Sequence, residues 1–169
     1  MTSRPELKRI TKEGVPAALQ KAHRYRVLND SVAAESICLD VLTVDPANVE
    51  AVVTHVLAIT DQFHAGHAAD RARAEAAVGA LTDPYRLAYY QGVICERWAT
   101  GILRRAGPRS GEIAHEWFAK ALDWYAKAEA MRPAGNDEAI LRWNTCVRIL
   151  QREPGIRPRG VEAWEPSLE

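Results

Sequence analysis

Asp61, His64, His67 and Asp70 follow one another at intervals of three, the pattern in the chain that most resembles a metal site. On one continuous helix this spacing could bring two imidazoles to a single ion with a carboxylate beside them, so Asp61, His64 and His67 are the candidate ligands. Gly66 and the alanines around it predict a turn at that point, which would splay the side chains. A metal-binding protein or metal-dependent enzyme built on this cluster is therefore the alternative reading, and no metal is assigned. Cys38, Cys95 and Cys146 are odd in number and far apart, a spacing that gives neither a zinc site nor a disulfide framework. They are expected to be inert core thiols in a reducing cytoplasm. No glycine-rich phosphate loop, serine elbow or paired-carboxylate motif occurs. No catalytic residue and no cofactor is assigned, and the chain is expected not to be an enzyme.

The elements that must position any site are helical. The 169 residues are 47% apolar and 26% charged, the make-up of one globular domain that can bury a core of its own. Basic and acidic side chains balance at 22 each, whereas nucleic-acid backbones select a basic surplus, so no nucleic-acid partner is expected. The charge is unevenly spread: the first thirty residues are net basic and the next thirty net acidic, an asymmetry that could steer a partner or a second copy. The most apolar stretch, Val49 to Ile59, is interrupted by Glu50, Thr54 and His55. No secretory signal or membrane span is read, and a soluble, cytoplasmic protein is expected.

Apolar residues recur with helical rhythm throughout, and nothing alternates like a strand. Gly14-Val15-Pro16 opens a first helix to about Leu28, and Asp30-Ser31 caps a second to about Val44. Asp45-Pro46 and Asp83-Pro84 each pair a capping carboxylate with a proline suited to a first helical turn, predicting helices to about Gln62 and Arg105. An alanine-rich helix spans about Ala68 to Leu81, Ser110 caps another to Met131, and Asn136 or Asp137 opens the last, ending near Gln151. The domain thus covers residues 14–152, after an N-terminal extension of residues 1–13. Residues 153–169 form a tail expected to be extended or disordered, with Trp164 as its one candidate anchor.

A spacing repeats within these helices. Ala34, Cys38, Val41 and Pro46 are separated by four, three and five residues, and Ala121, Tyr125, Ala128 and Pro133 repeat those intervals. The first three of each set share a helix face, and the proline falls where the helix must stop. Upstream, Ala22 with Tyr25 and Gly92 with Cys95 stand where a partner helix would present a small residue for close approach. On these residues the chain resembles the tetratricopeptide repeat family. The resemblance covers residues 15 to 151 and implies an all-α solenoid of antiparallel helix pairs, about three degenerate units plus a capping helix. The middle unit keeps scattered matches, the third carries an insertion around Pro108, and Ala18 and Val52 replace the family's large aromatic. Independently, the fifth helix is apolar on two sides, with Leu87, Tyr90, Ile94 and Trp98 on one and Tyr85, Tyr89 and Val93 on the other. The seventh carries one stripe of Ile140, Trp143, Val147 and Leu150, as a capping element should.

The family's first helices line a concave groove that binds proteins or peptides. Carried over, this places His23, Arg26, Asp61, Arg86, Tyr89, Glu96 and Arg97 near the groove, with Arg148 if the last helix keeps register. The family's carboxylate clamp is absent, because Leu19 and Tyr89 occupy its lysine places and His23 and Val93 its asparagine places. Ten of the twelve aromatic residues lie from Tyr85 onward, and Tyr89 is the favoured anchor ring. The leading expectation is a non-catalytic scaffold for a protein or peptide partner. A structural subunit that associates with its own copies as a homo-oligomer is a further alternative.

Overall fold

The computed structural model describes residues 4–65 and 68–160, with residues 68 and 69 described by backbone alone. His67 and Trp164, for which the sequence raised roles, lie outside the described residues. Within them the chain forms seven α-helices and no strand: α1 (Val15–Val27), α2 (Ser31–Val44), α3 (Val49–Asp61), α4 (Ala68–Val78), α5 (Pro84–Arg105), α6 (Ser110–Ala130) and α7 (Glu138–Arg152). A single 3₁₀ turn, Phe63–Ala65, follows α3.

Two of the caps are as the sequence predicts. The Asp30 carboxylate accepts the Ala33 amide at 3.1 Å, and Asp83 accepts the Tyr85 amide at 2.9 Å with Pro84 opening α5. Two others are corrected. Helix α3 starts at Val49 rather than at Pro46: Asn48 is the cap, accepting the Ala51 amide at 2.9 Å, while Asp45 closes α2 and accepts the Asn48 amide group at 2.8 Å. Ser110 is already the first helical residue of α6, because the backbone reverses through left-handed Ala106 (φ 46°) and Arg109 (φ 58°) before it. At α7 the predicted Asn136 acts through its side chain, whose oxygen accepts both the Glu138 amide and the Tyr85 hydroxyl at 3.0 Å.

Each helix packs on its neighbours in the chain, and α3 also touches both α1 and α5. Ala34, Cys38 and Val41 of one repeated spacing, and Ala121, Tyr125 and Ala128 of the other, are all fully buried. The two apolar sides of α5 are both covered. Ile94 and Trp98 join Val56, Ile59, Phe63 and Val78 from α3, the 3₁₀ turn and α4, with the Phe63 and Trp98 rings edge-on at 5.2 Å. Val93 and Ala99 join Phe118, Tyr125 and Cys146 from α6 and α7. Each large side chain so enclosed contributes about 1.5–3 kcal/mol, so α5 depends on both neighbours for its stability.

The stripe read on α7 is rotated by about one residue. Ala139 and Cys146 are its fully buried positions, with Trp143, Ile149 and Leu150 partly covered. The rotation brings Arg142 inward to the buried Glu96, an attraction that a purely apolar pattern does not register. After α7 no helix follows up to Gly160. Ile156 nevertheless packs into the α5–α6–α7 cluster, and the Gly155 carbonyl lies where a side chain on Gly111 would stand.

Candidate functional site

An open groove of about 1110 Å³ lies on one side of the described residues. It is built where α1, α3 and α5 run beside one another, with the start of α2 as one rim. Helical spacing puts His23 and Arg26 on one face of α1, and Glu96, Arg97, Thr100 and Arg104 on successive turns of α5. Asp61 ends α3 between them. Its Oδ2 accepts Arg26 Nε at 2.8 Å and its Oδ1 accepts Arg97 Nη1 at 2.5 Å. Arg97 Nη1 also reaches the Thr60 hydroxyl at 2.7 Å and the Leu57 carbonyl at 3.3 Å, which anchors the guanidinium to the last turn of α3. Burial lowers the Arg97 pKa while Asp61 acts against the shift, and the guanidinium remains charged at physiological pH.

Beneath this surface lies a second charged group. Glu96 is 6% exposed; its Oε2 accepts the Tyr125 hydroxyl at 2.5 Å and its Oε1 accepts Arg142 Nη1 at 3.1 Å. Burial first, and the Glu96 charge second, push the Tyr125 phenol far above its usual range, so it stays a hydrogen-bond donor. A comparable knot ties α2, α3 and α4 together. The buried Glu35 accepts the Gln62 amide at 2.8 Å, pairs with Arg73, and has the His55 ring 3.8 Å away. Burial holds the His55 pKa below its ordinary value.

Of the residues the sequence placed in a groove, His23, Arg26, Asp61, Glu96 and Arg97 line this one. Arg86 lies at a separate hollow of about 370 Å³ with Val49 and Glu50, paired with Asp83 at 3.6 Å. Tyr89 is half-buried and does not line the groove: its ring lies 5.0 Å from that of Tyr90 and 6.0 Å from that of Tyr125. Arg148 is exposed on α7, outside the groove. Arg104, Thr100 and the α2 rim escaped the sequence reading. The seven-residue step from Arg97 to Arg104 is the signal that finds them, once α5 is known to be helical through Arg105.

Both oxygens of Asp61 are engaged by guanidinium groups. His64 is exposed on the 3₁₀ turn, its Nδ1 3.1 Å from the Asp61 carbonyl. Among the described residues no three His, Cys, Asp or Glu side chains are grouped to hold a metal ion, and no helix is long and apolar enough to cross a membrane.

The cysteines have no reactive surroundings. Burial pushes the Cys38 and Cys95 thiols up to about 11 and Cys146 to about 12. At pH 8 a thiol with a pKa near 11 is ionised in about one molecule in a thousand. A disulfide reagent at pH 8 is therefore expected to titrate no thiol of the native chain within minutes and all three after unfolding in urea. Rapid labelling of any one of them in the native chain would contradict its placement in the core. Comparison with protein-family models, with curated proteins and with solved structures finds no match to this chain.

Proposed function

We propose that the chain is a non-catalytic module of the tetratricopeptide-like kind, a row of helix pairs that binds a protein or peptide segment in the groove formed by α1, α3 and α5. One observation carries the reading. The first helices of the three sequence-read pairs supply one continuous lining of mixed polar and apolar side chains, tied across by Arg26, Asp61 and Arg97. Side-chain contacts between α5 and α6 support the pairing. Tyr85, at the start of α5, reaches Asn136 beyond the end of α6, while Ala99 near the other end clusters with Ala114 and Phe118. That arrangement suits two helices running in opposite directions, with Gly92 against Tyr125 at the midpoint. Cross-helix ion pairs hold the groove side chains in place before a ligand arrives, which lowers the ordering cost of binding.

The test is an unbiased one. Panning a random peptide library on the immobilised chain should enrich short segments, and fluorescence anisotropy should then measure their binding in solution. Thr100 is half-buried on the groove floor, and its hydroxyl bonds only to its own helix at Glu96. Thr100→Tyr fills the groove and should weaken binding at least about tenfold with the helical circular dichroism unchanged. Enriched peptides that bind Thr100→Tyr as well as the wild type would place recognition elsewhere and overturn the reading.

A further inference from the structure

The groove lining holds as many carboxylates (Asp30, Asp61, Glu96) as guanidiniums (Arg26, Arg97, Arg104), yet it leaves guanidinium donors open. Two guanidiniums, Arg26 and Arg97, share the single carboxylate of Asp61. Arg26 uses its Nε for that bond, and Arg97 uses its Nη1 for all three of its contacts. A guanidinium carries five N–H donors. Both Nη groups of Arg26, and the Nε and Nη2 of Arg97, therefore have no acceptor among the described residues. None of these atoms is both buried and unpartnered, so each open donor has some exposure to solvent, and both residues line the groove. Of the other carboxylates on the lining, Glu96 lies under Tyr125 and Arg142, and Asp30 at the rim is exposed, caps α2 through Oδ1 and has no cation partner among the described residues.

Arg104 adds a third cation on the same side of α5, exposed and without an ion-pair partner among the described residues. Seven residues of helix separate it from Arg97, a distance of about 10 Å at 1.5 Å per residue. In a polyproline II peptide, residues three apart share a face and stand about 9.3 Å apart, at 3.1 Å per residue. The α1–α2 rim contributes two exposed apolar side chains, Val27 at 82% and Val32 at 67%.

We propose that the groove takes an extended peptide with two carboxylates three residues apart, one received by Arg26 and Arg97 and the other by Arg104, with an apolar side chain of the peptide against Val27 and Val32. The proposal rests on the groove reading above and adds the chemistry of the ligand. The recognised carboxylates belong to side chains within the segment, so a free C-terminus is not required.

The probe is fluorescein-labelled Gly-Glu-Leu-Pro-Glu-Leu-Gly amide, followed by anisotropy against the full chain. It should bind at least about tenfold more tightly than the same peptide with lysine at both glutamate places. Raising NaCl from about 0.05 to about 0.5 M should weaken it, because partly exposed charge pairs are screened. Arg104→Glu, at an exposed position, should cost at least about tenfold with the thermal midpoint unchanged. Equal binding of the lysine peptide, or indifference to Arg104→Glu, would overturn the proposal. So would failure of the glutamate peptide to bind while the random library yields neutral or basic ligands that Thr100→Tyr excludes; that result would leave the groove reading standing. A library that yields no ligand of any composition removes the groove reading and this proposal together.

Discussion

Gly92→Ala is expected to destabilise the chain by about 3 kcal/mol, although alanine is the better helix former by about 1 kcal/mol. A Cβ built on Gly92 would stand 2.5 Å from Tyr125 Cε1 and 2.7 Å from Cδ1. Tyr125 has no room to yield. It is fully buried in the α5–α6–α7 cluster, and its hydroxyl is held by Glu96. Moving the ring strains the cluster and also breaks that bond, leaving a buried carboxylate short of a donor. Urea denaturation should show a lower midpoint at unchanged slope. Gly107, where an added Cβ meets nothing within 4 Å, is the control: Gly107→Ala should stay within about 0.5 kcal/mol of the wild type. A smaller residue opposite should couple to the first change, so adding Tyr125→Leu to Gly92→Ala should cost less than the two single losses together. A neutral Gly92→Ala would mean that α5 and α6 do not approach as closely as described.

The same helix shows what was legible in the sequence and what was not. Apolar periodicity on both sides of α5 anticipated its two covered faces. Periodicity reports one helix at a time, and helices are local structures, so their number and approximate ends could be read. The ends that were misplaced are those where a polar side chain had two uses. Asp45 read as the cap of α3 but instead closes α2 and holds Asn48, and only tertiary geometry separates the two. Five of the residues read onto the first helices line one concavity because α1, α3 and α5 lie side by side. Tyr89 does not line that concavity: its half-buried ring lies beside Tyr125, a long-range contact that periodicity along α5 does not register. Glu35 escaped notice altogether: a single acid among small residues carries no periodic signal, and its partners Gln62 and Arg73 lie 27 and 38 positions away. Long-range pairing of isolated charges is the part of this molecule that local pattern does not encode.

Arg142→Met is expected to be as damaging as Gly92→Ala, for an electrostatic reason. Glu96 has a side chain 7% exposed, and Arg142 is the one cation paired with it among the described residues. A buried carboxylate stripped of its partner costs about 3–5 kcal/mol, because it has neither water nor a cation to replace what folding removed. Arg142 is one-third exposed, so water can reach the site once it is gone, and the loss should fall near the lower end, about 3 kcal/mol. Glu96→Met alone should also destabilise, since it leaves the Tyr125 hydroxyl buried without an acceptor. The variant that removes all three, Glu96→Met with Arg142→Met and Tyr125→Phe, replaces a satisfied polar cluster by apolar groups of similar volume. It should recover to within about 1–2 kcal/mol of the wild type. Denaturant midpoints across the set measure the coupling directly. Strict additivity of the three losses would show that Glu96, Tyr125 and Arg142 do not act as one unit.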